Sequence, residues 1–359
     1  ISENQRSESM NKISDKDLTS VLINVVMVKL ILFYPRRTVN IAGNSSWIVS
    51  IYVTLVMLFV FFVMTRVYDF SETVTEKLRR CGGNALRIAG GLLIIFVLIA
   101  SMCSFMRIYP ETVKIIFLKH TPIEFLVFLT SAAAVFGVYC GIESLGRVIS
   151  IFLPAAGVIM AATFLLLIPH MELSNLTPIL GPGIKTIFAD GLTVVSGFSD
   201  IIVLFIIDSE NGREKIKTGY KTILISGTVI TLILFAYCSI VPYDVSQHYL
   251  MPIYQMTRVI QIGEFFSRFE IFFEFIWTIL VMLYFSAYLY AICNVWSEIF
   301  KIPYHKRLAI PFATIVFSLS LMPGSYLEFG GHYMWFTVTV LCVTMLMPIV
   351  VGLCDGGKR

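Results

Sequence analysis

Apolar positions run along this chain in long blocks separated by short polar breaks, and the blocks recur ten times. They fall near residues 18–42, 47–67, 88–108, 123–141, 149–169, 186–208, 217–241, 269–297, 308–323 and 333–354. A bilayer core about 30 Å thick needs roughly 20 apolar helical residues to cross it, and most of these blocks have that length. The pattern therefore predicts an all-α integral membrane protein of about ten transmembrane helices. Residues 1–17 read as a polar N-terminal tail and residues 18–359 as one transmembrane domain.

Composition supports this. Of 359 residues, 57% are hydrophobic and only 14% charged, too little charge for a soluble surface. Basic residues crowd alternate connections: Arg66, Lys77, Arg79, Arg80, Arg147, Arg213, Lys215, Lys217, Lys306 and Arg307 share one side of a ten-span topology. The positive-inside bias then puts both termini in the cytoplasm. Trp47, Tyr68, Tyr109, Tyr243 and Trp335 lie near span ends, where the headgroup belt favours aromatic rings. Seven scattered cysteines form no CxxC pair or His/Cys cluster, so neither a disulfide framework nor a zinc site is expected. No phosphate-cradling glycine loop, nucleic-acid motif or catalytic constellation stands out, and no cofactor or enzymatic activity is expected.

Two spans differ from the rest. The first carries Lys29 and Pro35; the sixth carries Gly191 and "VSGFSD" (195–200). Interruptions at matching places in two five-span halves point to a 5+5 inverted-repeat transporter fold, with helices 1 and 6 broken and a ligand site near the midplane. Depth agrees: Lys29 lies about 16 Å into span one and Ser196 and Gly197 about 15–17 Å into span six. A lysine at the centre of a lone helix costs about 2.5–3.5 kcal/mol on insertion scales, so it needs a wet cavity or a carboxylate. Asp200 on span six and Glu274 on span eight are the candidates. The lysine either serves a ligand or forms an ion pair that sets helix register.

Span eight aligns Glu270, Glu274, Trp277, Tyr284 and Tyr288 roughly along one helical face. Glu274 suits an amino group, a proton, or a structural pairing with Arg107 or Lys29. Ser101 and Ser104 on span three suit a ligand or helix packing. Glu143 and Arg147, four apart, suit a surface pair or a gate latch.

"ISDKDL" (13–18), "LFYPRRTVNIAGNSSWI" (32–48), "TPIE" (121–124), "GIESLGR" (141–147), "NLTPILGPGIK" (175–185) and "MPIYQMTRVIQIGEFFSRFEIFFEFIW" (251–277) occur in that order. This ordered set resembles the spore germination permease family, the B subunits of nutrient germinant receptors, within the amino acid–polyamine–organocation (APC, LeuT-like) superfamily. The resemblance implies a subunit in the inner membrane of a bacterial spore that binds a small nutrient, usually an amino acid. It also implies two partners, an ion-conducting A subunit and a lipoprotein C subunit. Carried onto this chain, the pocket lies between "VKLILFYP" (28–35) and "VSGFSD" (195–200), walled by spans three and eight. Its expected ligand residues are Lys29, Phe33, Ser101, Ser104, Ser196, Gly197, Phe198 and Glu274. Lys29, Asp200, Glu274, Glu143 and Arg147 are the expected ion-pair or coupling residues. Many relatives have a glycine-bearing turn where Val28 and Lys29 stand here. The lysine would meet a ligand carboxylate, replace a bound cation, or fill the pocket.

Overall fold

The computed structural model describes residues 13–208, 211–246, 248–249, 251–260, 270–302, 305–324, 339–340 and 342–356. They form an all-helical bundle: α1 (Asp15–Ala42), α2 (Ser46–Val67), α3 (Val74–Ile116), α4 (Ile123–Cys140), α5 (Ile142–Leu167), α6 (Thr186–Ile206), α7 (Gly212–Ile240), α8 (Glu270–Phe300), α9 (Ala309–Leu321) and α10 (Met347–Gly356). Seven stretches among the described residues are long and apolar enough to cross a membrane, the first of which, Asp15–Val67, contains both α1 and α2. The described parts of α9 and α10 are shorter, and much of the expected tenth block lies outside the described residues. Large apolar side chains such as Phe59, Phe96, Phe128, Phe136, Ile151 and Val158 are exposed, as a lipid-facing perimeter requires.

The helices pack in pairs that repeat when each is replaced by the one five places on. The α1–α7 contact is echoed by α6–α2, and α3–α9 by α8–α4. Likewise α5–α8 is echoed by α10–α3, and α1–α5 by α6 against Cys342–Leu346, the turn leading into α10. The pairs α1–α6, α2–α7, α3–α8 and α4–α9 map onto themselves. Such packing belongs to two five-helix halves, although the halves share no visible residue identity. The first-half starts and second-half ends meet at one end of the bundle, where Lys77 of α3 reaches Asp355 of α10 and Arg87 reaches the Ile299 carbonyl of α8. This is the termini end of the bundle, and its opposite is the far end.

Span one departs from expectation, because α1 is not interrupted. Ser14 caps it, accepting from the Asp17 N–H at 3.3 Å, and Asp15 and Asp17 offset the helix dipole. The helix continues through Pro35 and stops at Gly43, whose φ of 53° takes the left-handed region. Proline removes one N–H but holds a φ the helix already uses. The Thr38 hydroxyl donates to the Tyr34 carbonyl at 2.7 Å in the same turn, and α5, α6, α7 and α8 all pack against this helix.

Span six is irregular throughout. A π turn (Thr186–Asp190) leads into a tight 3₁₀ stretch (Gly191–Ile202) and one α turn (Val203–Ile206). Glycine, serine and β-branched residues disfavour the α form here. Thr193 and Ser196 also donate to carbonyls three residues back, Asp190 at 2.7 Å and Thr193 at 2.9 Å. A 3₁₀ run of 12 residues is far longer than the usual three or four and marks strain or a hinge.

Two aromatic expectations are corrected. Tyr68 and Tyr109 do not float at a headgroup belt but are buried. The Lys77 ammonium lies 4.8 Å from the centroid of the Tyr68 ring, and Tyr109 donates to the Thr278 hydroxyl at 2.7 Å. Trp335 lies outside the described residues.

Candidate functional site

Lys29 sits midway along α1, about 21 Å from Asp15 and about 20 Å from Ala42 by helical rise. Its ammonium donates to Asp200 Oδ1 at 2.6 Å and to Ser199 Oγ at 2.7 Å. Asp200 is fully buried and Lys29 only 8% exposed. The carboxylate also accepts from Tyr288 OH on Oδ1 at 2.6 Å and from Tyr284 OH on Oδ2 at 3.3 Å, both on α8. Taking two charges out of water is costly unless their remaining hydrogen-bonding capacity is filled, and Ser199, Tyr284 and Tyr288 gather here to fill it.

The long 3₁₀ stretch brings α6 close enough for this. A Cβ on Gly197 would lie 2.8 Å from Leu30 Cδ2 and 2.9 Å from Tyr34 Cδ2, so α1 rests directly on backbone. Rings extend the cluster sideways: Phe33 of α1 lies 5.5 Å from Phe105 of α3, which lies 4.7 Å from Tyr284. One connected group thus ties α1, α3, α6 and α8.

The other expected ligand residues divide. Ser104 donates to the Ala100 carbonyl at 2.8 Å and Ser196 to that of Thr193, each within its own helix. Ser101 is buried on α3, and Phe198 is a fully buried core ring. Glu274 does not meet Lys29, because it stands ten residues before Tyr284 on α8, about 15 Å along the axis. Nor does it pair with Arg107, whose guanidinium lies 3.3 Å from Glu111 and donates to the Gly324 carbonyl at 2.9 Å. Instead Glu274 lines a far-end cavity of about 160 Å³ with Pro35, Thr112, Tyr254, Phe273 and Trp277. Glu143 and Arg147 do form a pair, exposed at the start of α5, where such contacts contribute little. The Glu270 side chain lies outside the described residues.

Sequence reasoning missed Ser199 as a partner of Lys29 and the donor role of Tyr284 and Tyr288. Their spacing of four showed a shared face but not the carboxylate it meets. It also missed a second buried polar group at the termini end. There Glu298 of α8 accepts from Thr75, from Thr73 at 3.3 Å and from Asn294 at 2.9 Å. Beside it, Lys77 lies 3.1 Å from Asp355. Among the described residues, no group of three His, Cys, Asp or Glu side chains is placed to hold a metal ion.

Ten helices packed as two echoing halves, with a buried ion pair joining the first span to the sixth, define an integral membrane protein of the APC-like class. The family model described as "Spore germination protein" matches residues 12–326, and the chain belongs to that spore germination permease family. It is similar to spore germination protein KB of Bacillus subtilis (strain 168), 24% identical over 322 residues, 86% of this chain and 84% of that one. Spore germination protein A2 of the same organism is 22% identical over 347 residues, 93% of this chain and 94% of its own. Protein XB of Bacillus anthracis is 20% identical over 285 residues, 77% of each. The family is one of permease-type membrane proteins, not of enzymes.

Proposed function

We propose that this chain is the sensing subunit of a germinant receptor in the spore inner membrane. It takes a small nutrient, of the amino acid class, from the outer side and signals to an ion-conducting A subunit and a lipoprotein C subunit. The observation that carries this is the buried Lys29–Asp200 pair, which links the continuous α1 to the strained α6. A ligand that binds better to one arrangement of these two helices than to the other shifts their populations, and partner subunits would read that shift. The excess of basic residues at the termini end favours that end in the spore core, and in this reading the far-end cavity faces outward.

In a strain whose only germinant receptor contains this subunit, a panel of amino acids, sugars and nucleosides is expected to yield a saturable germination response. Lys29→Ala should shift the dose–response while immunoblots still find the protein in spores. An unchanged response would remove Lys29 from sensing. The echoing halves also favour a second role, secondary transport of the same solute coupled to protons or sodium. Labelled amino acid accumulating in proteoliposomes under an ion gradient would establish transport, and its absence alongside binding would leave sensing alone.

A further inference from the structure

We infer that the far-end cavity is a binding site for an organic ammonium group, with Glu274 as its counter-ion and the Phe273–Trp277 pair as its aromatic wall. The inference rests on the sensing role proposed above and names the chemistry that the outer mouth selects.

Charge is the first argument. Among the described residues Glu274 makes no hydrogen bond or ion pair, although it is half-buried on a membrane-spanning helix. The other deeply placed carboxylates are compensated, Asp200 by Lys29 and two tyrosines, Glu298 by three donors. Glu111, which lines the same cavity, is paired with Arg107 at 3.3 Å. Arg258, on the far-end turn, lies over the Tyr254 ring at 5.9 Å and not on a carboxylate. Among the described residues the cavity therefore presents one carboxylate that lacks a cation, and a desolvated charge of that kind is costly until a ligand supplies one.

Shape and surface are the second. Phe273 and Trp277 stack with centroids 5.8 Å apart and planes 10° from parallel, giving a flat π surface beside the carboxylate. Carboxylate plus aromatic face is the pairing that recognises an ammonium group over a neutral hydroxyl compound. A volume of about 160 Å³ amounts to about five waters at their share of liquid volume, so it suits a small solute. The α1 residues in its wall, Ile31, Leu32 and Pro35, occupy the turns next to Lys29, so a bound solute presses on the helix that carries the ion pair.

The test uses the full chain in nanodiscs and follows thermal unfolding during titration with L-valine, isobutylamine, isobutyrate, glucose and potassium chloride. Valine and isobutylamine are expected to give saturable stabilisation. Glu274→Gln should weaken their apparent affinity about tenfold or more, as loss of a charge-assisted contact does. Glu274→Asp, which keeps the charge, should retain part of the affinity and so separates a site defect from misfolding. Equal binding by wild type and Glu274→Gln would overturn the assignment, as would potassium chloride alone reproducing the effect, which would mark an inorganic cation site. Binding confined to isobutyrate or glucose would also overturn it while leaving the sensing role standing. No response to any probe would also overturn it, and the germination panel then decides the sensing role on its own.

Discussion

Lys29 Nζ and Asp200 Oδ1 stand 2.6 Å apart, joining two helices that exchange places in the five-helix packing echo. The contact lies midway along α1, where neither charge can reach headgroup water by extending its side chain. Each charge therefore makes the other tolerable, and the pair fixes the register of α1 against α6. Tyr284 and Tyr288 bring α8 to the same carboxylate, so a movement of any one of the three helices disturbs bonds to the other two.

Breaking the pair from one side should be worse than removing it. Lys29→Met leaves a fully buried carboxylate without its cation, and Asp200→Leu leaves a buried ammonium, each at a cost of about 3–5 kcal/mol. The double variant Lys29→Met/Asp200→Leu should recover part of that loss, because the apolar pair itself needs no counter-charge although Tyr284 and Tyr288 lose their acceptor. Thermal unfolding of the detergent-solubilised single and double variants measures this. A double variant no more stable than the singles would mean that the charges are not coupled.

The two tyrosines should differ. Tyr288 OH donates at 2.6 Å to the oxygen that Lys29 also holds, whereas Tyr284 OH reaches the other oxygen at 3.3 Å. A hydrogen bond to a charged group contributes about 1.5–3 kcal/mol, and a long one less. Tyr288→Phe should therefore lower the unfolding temperature more than Tyr284→Phe. In the Asp200→Leu background both effects should shrink together.

Gly197→Ala should force α1 and α6 apart. The added methyl would lie 2.8 Å from Leu30 and 2.9 Å from Tyr34, both buried and unable to swing aside. Overpacking of this kind costs about 1–3 kcal/mol. Gly157→Ala on α5 is the matched control, since a Cβ there meets nothing within 4 Å. It should be neutral, or stabilising by up to about 1 kcal/mol through helix propensity. Differential scanning fluorimetry of the two variants should place them on opposite sides of, or at unequal distances from, the wild type.

Hydropathy alone located the first nine helices and the end of the tenth, because a bilayer forces long apolar blocks whatever they pack against, while most of the tenth block lies outside the described residues. Depth counting put Lys29 and the 196–197 region at one level, and their helices do cross there. What needed tertiary structure was the choice of partner. Asp200 and Glu274 were equal candidates as residues, and only the 15 Å between Glu274 and Tyr284 along α8 separates them. Pro35 misled because its cost depends on whether neighbours hold the helix, and four helices hold α1. Tyr68 and Tyr109 misled for a similar reason: an aromatic at a span end fits a lipid belt or a cation and hydroxyl inside the bundle equally well. Ser199 gave no separate signal, since a serine in an irregular stretch is ordinary.

The termini end offers the last prediction. Inside α3, Gly82 and Gly83 leave helical geometry, Gly83 with φ 71°, so Val74–Cys81 forms an arm that turns away from the membrane-spanning part. Lys77 on this arm is fully buried, 3.1 Å from Asp355 of α10, with its ammonium over the Tyr68 ring. Arg80 adds a longer contact to Asp355 at 3.8 Å. Cys81, at the end of the arm, donates to the Val351 carbonyl of α10 at 3.5 Å and is only partly covered. Asp355→Leu leaves the Lys77 ammonium without its carboxylate, so the arm should lift from α10 and expose Cys81. With the exposed Cys140, Cys342 and Cys354 replaced by serine, maleimide labelling of Cys81 should accelerate about tenfold or more, since about 1.4 kcal/mol of local stability is a factor of ten. Adding Lys77→Met should slow it again, because the apolar pair closes without charge. An unchanged labelling rate in Asp355→Leu would mean that packing, and not this ion pair, holds the arm to α10.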